Sequence, residues 1–308
     1  MLSAANTVMK KFKAQRKGFT LIELMTAVAI TTVIIGVLIG TTRMSMDAWQ
    51  ESRDKARASR LAKESMEVMA RDLEGIVIRS GNDYEWLYAK MDGSEQQGPH
   101  SSAQLNNPLE FVFLTAATDR YDGKIGTSDD KGGDISTVIY KLVYKDQFEG
   151  VSSGTPFPVF SLYRKLINPD ETFNKYLAQT SIQGLTPSDE ITDPNNFIAE
   201  NVYNLTVTLV FEYIDTNTGV LKQKRVPIMT SGSSFVEVSI KGDEVQTPGS
   251  SETLPVDARL AGAELGIMVL NDTAVRQLSV PSLPDSRVKS IIKENSHFFT
   301  KSVVLPRP

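Results

Sequence analysis

Glu23 is the residue of this chain whose type and position most demand a chemical explanation. It is the one ionisable side chain between Lys17 and Arg43. An acid inside a membrane-length apolar run costs about 2.5–3.5 kcal/mol at a helix centre and less near the interface. A carboxylate there is tolerated mainly when it meets a cation, so the chemistry it suggests is charge pairing with a neighbouring chain. The alternative is an ordinary signal anchor in which the acid is accidental. A second set of oxygen donors, Asp119, Asp122, Asp129, Asp130 and Asp134, is interleaved with Gly123, Gly126, Gly132 and Gly133. Such a run could ligate calcium. It lacks the Asp-x-Asp-x-Asp-Gly register, and Arg120, Lys124 and Lys131 interrupt it, so a solvated loop is the competing reading.

Signals for catalysis are missing. The only histidines, His100 and His297, lie far apart, and there is no cysteine. No His-Glu-x-x-His pair offers zinc ligands. Ser231-Gly232-Ser233-Ser234 reads as a flexible turn, without a Gly-x-Ser-x-Gly elbow. No glycine loop precedes a Gly-Lys-Ser/Thr. The expectation is a protein that uses no cofactor and performs no reaction of its own.

The elements around Glu23 give it context. Residues 19–42 form an apolar span of about 36 Å as a helix, enough to cross a hydrocarbon core of about 30 Å. Lys10, Lys11, Lys13, Arg16 and Lys17 precede it with no acid. The positive-inside rule then places the amino terminus in the cytoplasm and the rest beyond the membrane. The net charge of −4 becomes about −9 from Phe19 onward, which argues against a nucleic-acid groove. Gly36 and Gly40 form a small-xxx-small pair that would let helices approach closely in lipid. Trp49 falls where an interfacial anchor would sit.

Residues 10–42 resemble the class III signal of type IV pilins and type II secretion pseudopilins. The matching features are a basic leader, then Gly18, then Phe19-Thr20-Leu21-Ile22-Glu23, then the apolar helix. The resemblance implies that a prepilin peptidase cuts between Gly18 and Phe19 and that the new Phe19 amine is N-methylated. It also implies that Glu23 pairs with the Phe19 amine of an adjacent subunit. Many type IV pilins close a loop with a disulfide; this chain cannot, which favours a pseudopilin.

From Arg43 to Arg71 the residues are strong helix formers without Gly or Pro. Ala62, Met66, Met69, Leu73 and Ile76 make one apolar face, so the helix should continue to about Ile78, ended by Gly75 or Gly81. Beyond Gly81 the pattern turns to strands: Leu109–Leu114, Thr137–Tyr144, Val159–Leu166, Asn204–Tyr213, Leu221–Met229, Phe235–Ile240 and Ala263–Leu270. Asp272–Leu278, capped by Asp272, and Ser286–Asn295 read as short helices, and Val303–Leu305 as a last short edge strand. Gly93–Asn107, Asp119–Asp134, Thr180–Asn196 and Gly242–Pro255 read as loops.

The expected fold class is therefore α+β, with a long amino-terminal transmembrane and stalk helix on a mostly antiparallel sheet. The expected organisation is a leader over 1–18, a transmembrane part over 19–42, a stalk over 43–80 and a periplasmic body over 81–308. Within the family, the order of parts is most similar to J-type minor pseudopilins. The marks are Arg71-Asp72-Leu73, Leu109–Phe111, Tyr140-Lys141-Leu142, Leu162 with Arg164, the Val202–Tyr213 strand, and Ala263–Leu270 ahead of Phe298-Phe299. Minor pilins of the W type, priming a surface pilus, are the rival. The J-type resemblance implies I- and K-type pseudopilins, the major pseudopilin, the prepilin peptidase and methyltransferase, and an inner-membrane assembly platform as partners. A membrane-anchored enzyme or glycan-binding domain with a look-alike signal is the reading from another class.

Overall fold

The computed structural model describes residues 18–91, 97–105, 107, 109–116, 133–146, 157–231, 234–235, 237–248, 254–255 and 257–306. The chain divides into two compact units, Met1–Arg53 and Asp54–Pro308. One helix, α1, runs from Leu21 to Glu74. It stops before Gly75, the earlier of the two glycines expected to end it. After the helix the backbone joins the sheet: Ile76 bridges Thr115, and the Val77 N–H donates to the Leu114 carbonyl at 2.9 Å.

The second unit is built on antiparallel strands, as the sequence pattern requires. In chain order these are β1 (Glu85–Met91), β2 (Leu109–Thr115), β3 (Ser136–Lys145), β4 (Val159–Ile167), β5 (Phe197–Glu200), β6 (Val202–Ile214), β7 (Leu221–Ile228), β8 (Thr230–Ser231), β9 (Ser234–Phe235), β10 (Glu237–Lys241), β11 (Glu244–Gln246), β12 (Arg259–Leu270) and β13 (Ser296–Val304). A seven-stranded sheet has the order β11-β10-β1-β2-β3-β4-β5, and a four-stranded sheet the order β13-β12-β6-β7. Short helices α2 (Pro169–Lys175) and α3 (Ser188–Ile191) lie between β4 and β5, and α4 (Asp272–Leu278) and α5 (Asp285–Asn295) between β12 and β13.

The α+β expectation holds, with local corrections. The cap of α4 is Asn271, not Asp272: its side chain accepts the Ala274 N–H at 2.7 Å. The final strand is nine residues long rather than three, pairing with β12 from Ser296↔Leu270 to Val304↔Gly262. The Thr180–Asn196 stretch, read as loop, contains α3 and a 3-10 turn at Pro194–Asn196. β1, α2, β5 and β11 have no counterpart in the sequence pattern, and β11 lies within Gly242–Pro255, expected as a loop.

Within the second unit, Ala58, Ala62, Met66, Met69, Ala70 and Leu73 of α1 share one core with both large sheets. A smaller cluster lies on the seven-stranded sheet around Tyr88, Tyr163, Tyr176 and Ile182. An ion pair is buried in the main core. Asp72, Arg164 and Tyr140 are 1%, 2% and 0% exposed. The guanidinium grips the carboxylate with both arms, Nε to Oδ2 and Nη2 to Oδ1 at 2.7 Å each, and the Tyr140 hydroxyl also donates to Oδ2. Burial, and then the Asp72 charge, push the Tyr140 phenol well above its ordinary range and keep it a donor.

A second buried carboxylate, Glu85 at the start of β1, accepts the Ile182 N–H at 2.5 Å. Burial raises its carboxyl above the ordinary value, with that N–H acting in the opposite direction. A raised folded pKa means its stabilising contribution is full below the unfolded value near 4.5 and is lost as pH rises through the folded value. Glu85→Gln, which keeps an acceptor without the charge, should melt above the parent near neutral pH. That advantage should shrink to nothing on acidification, in paired thermal melts across pH. Gly242 is held at φ +55°, and a Cβ there would lie 1.8 Å from the Asn82 carbonyl oxygen. Gly242→Ala should therefore cost about 2–4 kcal/mol in denaturant unfolding, because backbone rather than a flexible side chain must move.

Candidate assembly and processing segment

Every described residue from Gly18 to Arg53 is exposed within its own chain. That includes Phe19 at 87% and the apolar residues from Leu21 to Ile39. Among the described residues, Leu21–Glu74 is the one helix long and apolar enough to cross a membrane. Its apolar part leaves few polar groups unsatisfied. The hydroxyls of Thr26, Thr31, Thr32 and Thr41 donate to carbonyls three or four residues back, at 2.8–3.0 Å. This back-bonding spares lipid from bare donors.

Glu23 sits in a reciprocal cap. The Thr20 N–H and Thr20 Oγ1 donate to its Oε2 at 2.9 and 2.8 Å, and its own N–H donates to Thr20 Oγ1 at 3.3 Å. Thr20 is the N-cap and Glu23 the third helical residue, the arrangement of a capping box. The helix dipole also favours an anion in the first turn. The sequence reading missed this role, although Thr20-Leu-Ile-Glu23 carries the signature. The cap does not exhaust the carboxylate, whose two oxygens offer about four acceptor sites, so an ammonium can still be received.

Around Gly36 and Gly40 a Cβ would meet nothing within 4 Å. The small-residue patch is thus open. Trp49 is 61% exposed, and the Arg53 guanidinium lies 5.1 Å from its ring centroid.

The calcium candidates Asp119, Asp122, Asp129 and Asp130 lie outside the described residues. Asp134 is described and is exposed. Among the described residues no group of three or more His, Cys, Asp or Glu side chains is placed to hold a metal. The His100 ring Nε2 is 2.8 Å from the Leu278 carbonyl oxygen. His297 lies on β13, opposite Val269.

Residues 13–39 match the prokaryotic N-terminal methylation motif. The motif indicates a type IV pilin-like protein. Compared with curated proteins and with solved structures, the chain matches none. The motif and the apolar helix together describe a membrane-anchored chain of the kind that a prepilin peptidase processes and that assembles with other pilins.

Thr20→Val would remove the cap hydroxyl while leaving the charge. The first turn should lose about 1 kcal/mol. Amide exchange at Glu23, whose N–H the hydroxyl accepts, should speed up accordingly in lipid micelles, with exchange beyond residue 30 unchanged.

Proposed function

We propose that this chain is a minor pseudopilin, a structural subunit at or near the tip of a type II secretion pseudopilus, where it helps initiate filament assembly for protein export. The observation that carries the reading is the methylation motif on a helix whose apolar surface has no cover within its unit. Such a surface requires lipid before assembly and like helices after it. The J-type assignment draws support from the second unit. Asp72, Tyr140 and Arg164, which mark three separate parts of that resemblance, meet in a single buried contact.

In this reading residues 1–18 are a leader removed between Gly18 and Phe19, and Phe19 is N-methylated. Residues 19–42 span the inner membrane once, with the amino terminus cytoplasmic. Residues 43–80 form the stalk, and 81–308 the periplasmic body. Glu23 receives the Phe19 amine of a neighbouring subunit, exchanging part of its internal cap for an ion pair in a dry setting. Gly36 and Gly40 admit a neighbouring helix. The partners are major and I- and K-like minor pseudopilins, the processing peptidase and methyltransferase, and the assembly platform. The chain is a substrate of two enzymes and catalyses nothing itself.

Glu23→Ala should insert and be processed at the parental rate, yet fall at least about tenfold in crosslinked filament fractions, the scale of a lost buried pair. Gly18→Ala should accumulate as the longer precursor on immunoblots. Parental incorporation of Glu23→Ala would end the pairing role. Loss of surface fibres with export of folded proteins intact, on deleting the chain, would replace the secretion reading by the W-type pilus one.

A further inference from the structure

α4 and α5 form the connection between β12 and β13, and their outer surface carries unpaired positive charge. Each helix is amphipathic: Ala274 and Leu278 of α4 and Val288 and Ile291 of α5 are buried in the main core. The outward residues include Arg276, Arg287, Lys289 and Lys293, all exposed. Among the described residues none of these four side chains makes an ion pair. Cations on the strands of the same unit are mostly paired, as Lys165 is with Glu190, Lys222 with Asp215, Arg225 with Glu264 and Lys301 with Glu67. Residues 273–293 hold four cations and one acid, Asp285, for a net of +3. The rest of the chain from Phe19, which is −9 overall, therefore carries −12.

The turn that joins the two helices is apolar at its tip. Val280 is 50% exposed, and Phe157, which lines the same groove, is 52% exposed. Arg276 stands one turn before the tip and Arg287 in the first turn of α5 after it. Apolar side chains flanked by free cations suit a lipid interface, where the tip enters the acyl boundary and the cations meet anionic headgroups. The position in the chain agrees. The Thr273 hydroxyl donates to Asp54 at 3.3 Å and Arg57 reaches Asp272, so α4 begins beside the start of this unit. Residues 43–54 separate the apolar span from that point, and however they lie they hold it within about 43 Å of lipid. A tethered surface needs only a weak attraction of its own, because the tether raises its local concentration.

We propose that the α4–α5 connection is a membrane-surface contact, in which Arg276, Arg287, Lys289 and Lys293 bind anionic phospholipid headgroups and the Val280 tip enters the interface. Lys289 and Lys293 lie one helical turn apart, so α5 offers phosphate two donors on one flank. Asp285 and Glu294 bound the patch, and Glu294 is engaged by the Ser290 hydroxyl at 2.6 Å. Each cation near an anionic surface favours contact by about fivefold. Docking of this kind requires the membrane anchor but neither the secretion nor the pilus reading. It holds the body on the bilayer before the chain joins a filament.

The absence of cysteine makes a direct test practicable. In the full-length chain, Val280→Cys is labelled with an environment-sensitive fluorophore. Thr216→Cys, on the β6–β7 turn at the opposite end of the four-stranded sheet, serves as the reference. Each protein is reconstituted into vesicles of phosphatidylcholine alone or with phosphatidylglycerol. With phosphatidylglycerol, aqueous acrylamide should quench the label at position 280 at least about threefold less, with position 216 quenched alike in both lipids. That protection should vanish in the combined variant Arg276→Gln, Arg287→Gln, Lys289→Gln, with the parental melt kept. It should also vanish in the parent at about 1 M salt, where the screening length falls to about 3 Å. Equal quenching at position 280 in the two lipids, or protection that survives the triple substitution, would overturn the proposal. So would a label protected in native membranes but not in phosphatidylglycerol vesicles, which would assign the surface to an acidic protein partner.

Discussion

Apolar surface that its own compact unit does not cover is the constraint from which the rest of this molecule follows. From Leu21 to Ile39 the helix exposes leucine, isoleucine, valine and methionine on every side. Leaving such a side chain in water rather than burying it costs about 1.5–3 kcal/mol each. No soluble arrangement of this segment alone is stable, so lipid or other helices must supply the missing contacts. Once the surroundings are apolar, other requirements appear. Hydroxyls must be satisfied within the helix, and Thr26, Thr31, Thr32 and Thr41 are. An acid must be held by donors, and Thr20 holds Glu23.

The second unit solves the opposite problem. Here the helix presents a narrow strip to two antiparallel sheets and leaves charged residues such as Arg60, Lys63 and Glu64 outside. Burial is extensive, so the few buried charges carry the specificity. Asp72 with Arg164 contributes modestly to net stability, because desolvation offsets much of the Coulombic gain. The helix therefore meets two solvents along its length, and the two units use side-chain polarity for different ends: self-satisfaction in one, cross-element recognition in the other.

Much of this was legible in the residue pattern. Leu205, Val207, Leu209 and Phe211 alternate, and the strand they define is present as β6. The apolar span was readable from propensity alone; the helix end was not, because residues 75–78 continue the apolar face expected of a helix to about Ile78, yet α1 stops at Glu74 and Ile76 bridges Thr115 of the sheet. β1 was not legible either, because Trp86, Leu87, Tyr88, Ala89 and Met91 are all buried, so both faces are covered and the period-two signal vanishes. The pattern marks only the end of β13, because His297-Phe298-Phe299 shows no alternation; what defines the strand is pairing with β12. Glycine on β12 explains part of this. The Phe298 ring lies over Gly266, where a Cβ would come within 2.9 Å of it, a cross-strand contact invisible in either strand by itself. The meeting of Asp72, Tyr140 and Arg164 is likewise a property of the folded chain, since the three residues are far apart in sequence. At the amino-terminal segment the acid is conspicuous in an apolar run, whereas its cap is signalled only by the short Thr-x-x-Glu spacing of Thr20 and Glu23.

The central claim is that the segment around Glu23 is a processing and assembly signal rather than a plain anchor. The most direct measurement is the intact mass and amino-terminal sequence of the chain isolated from its native membranes. The account requires a polypeptide that begins at Phe19 and carries one methyl group on its amine. A chain still beginning at Met1, with an unmodified terminus, would contradict it.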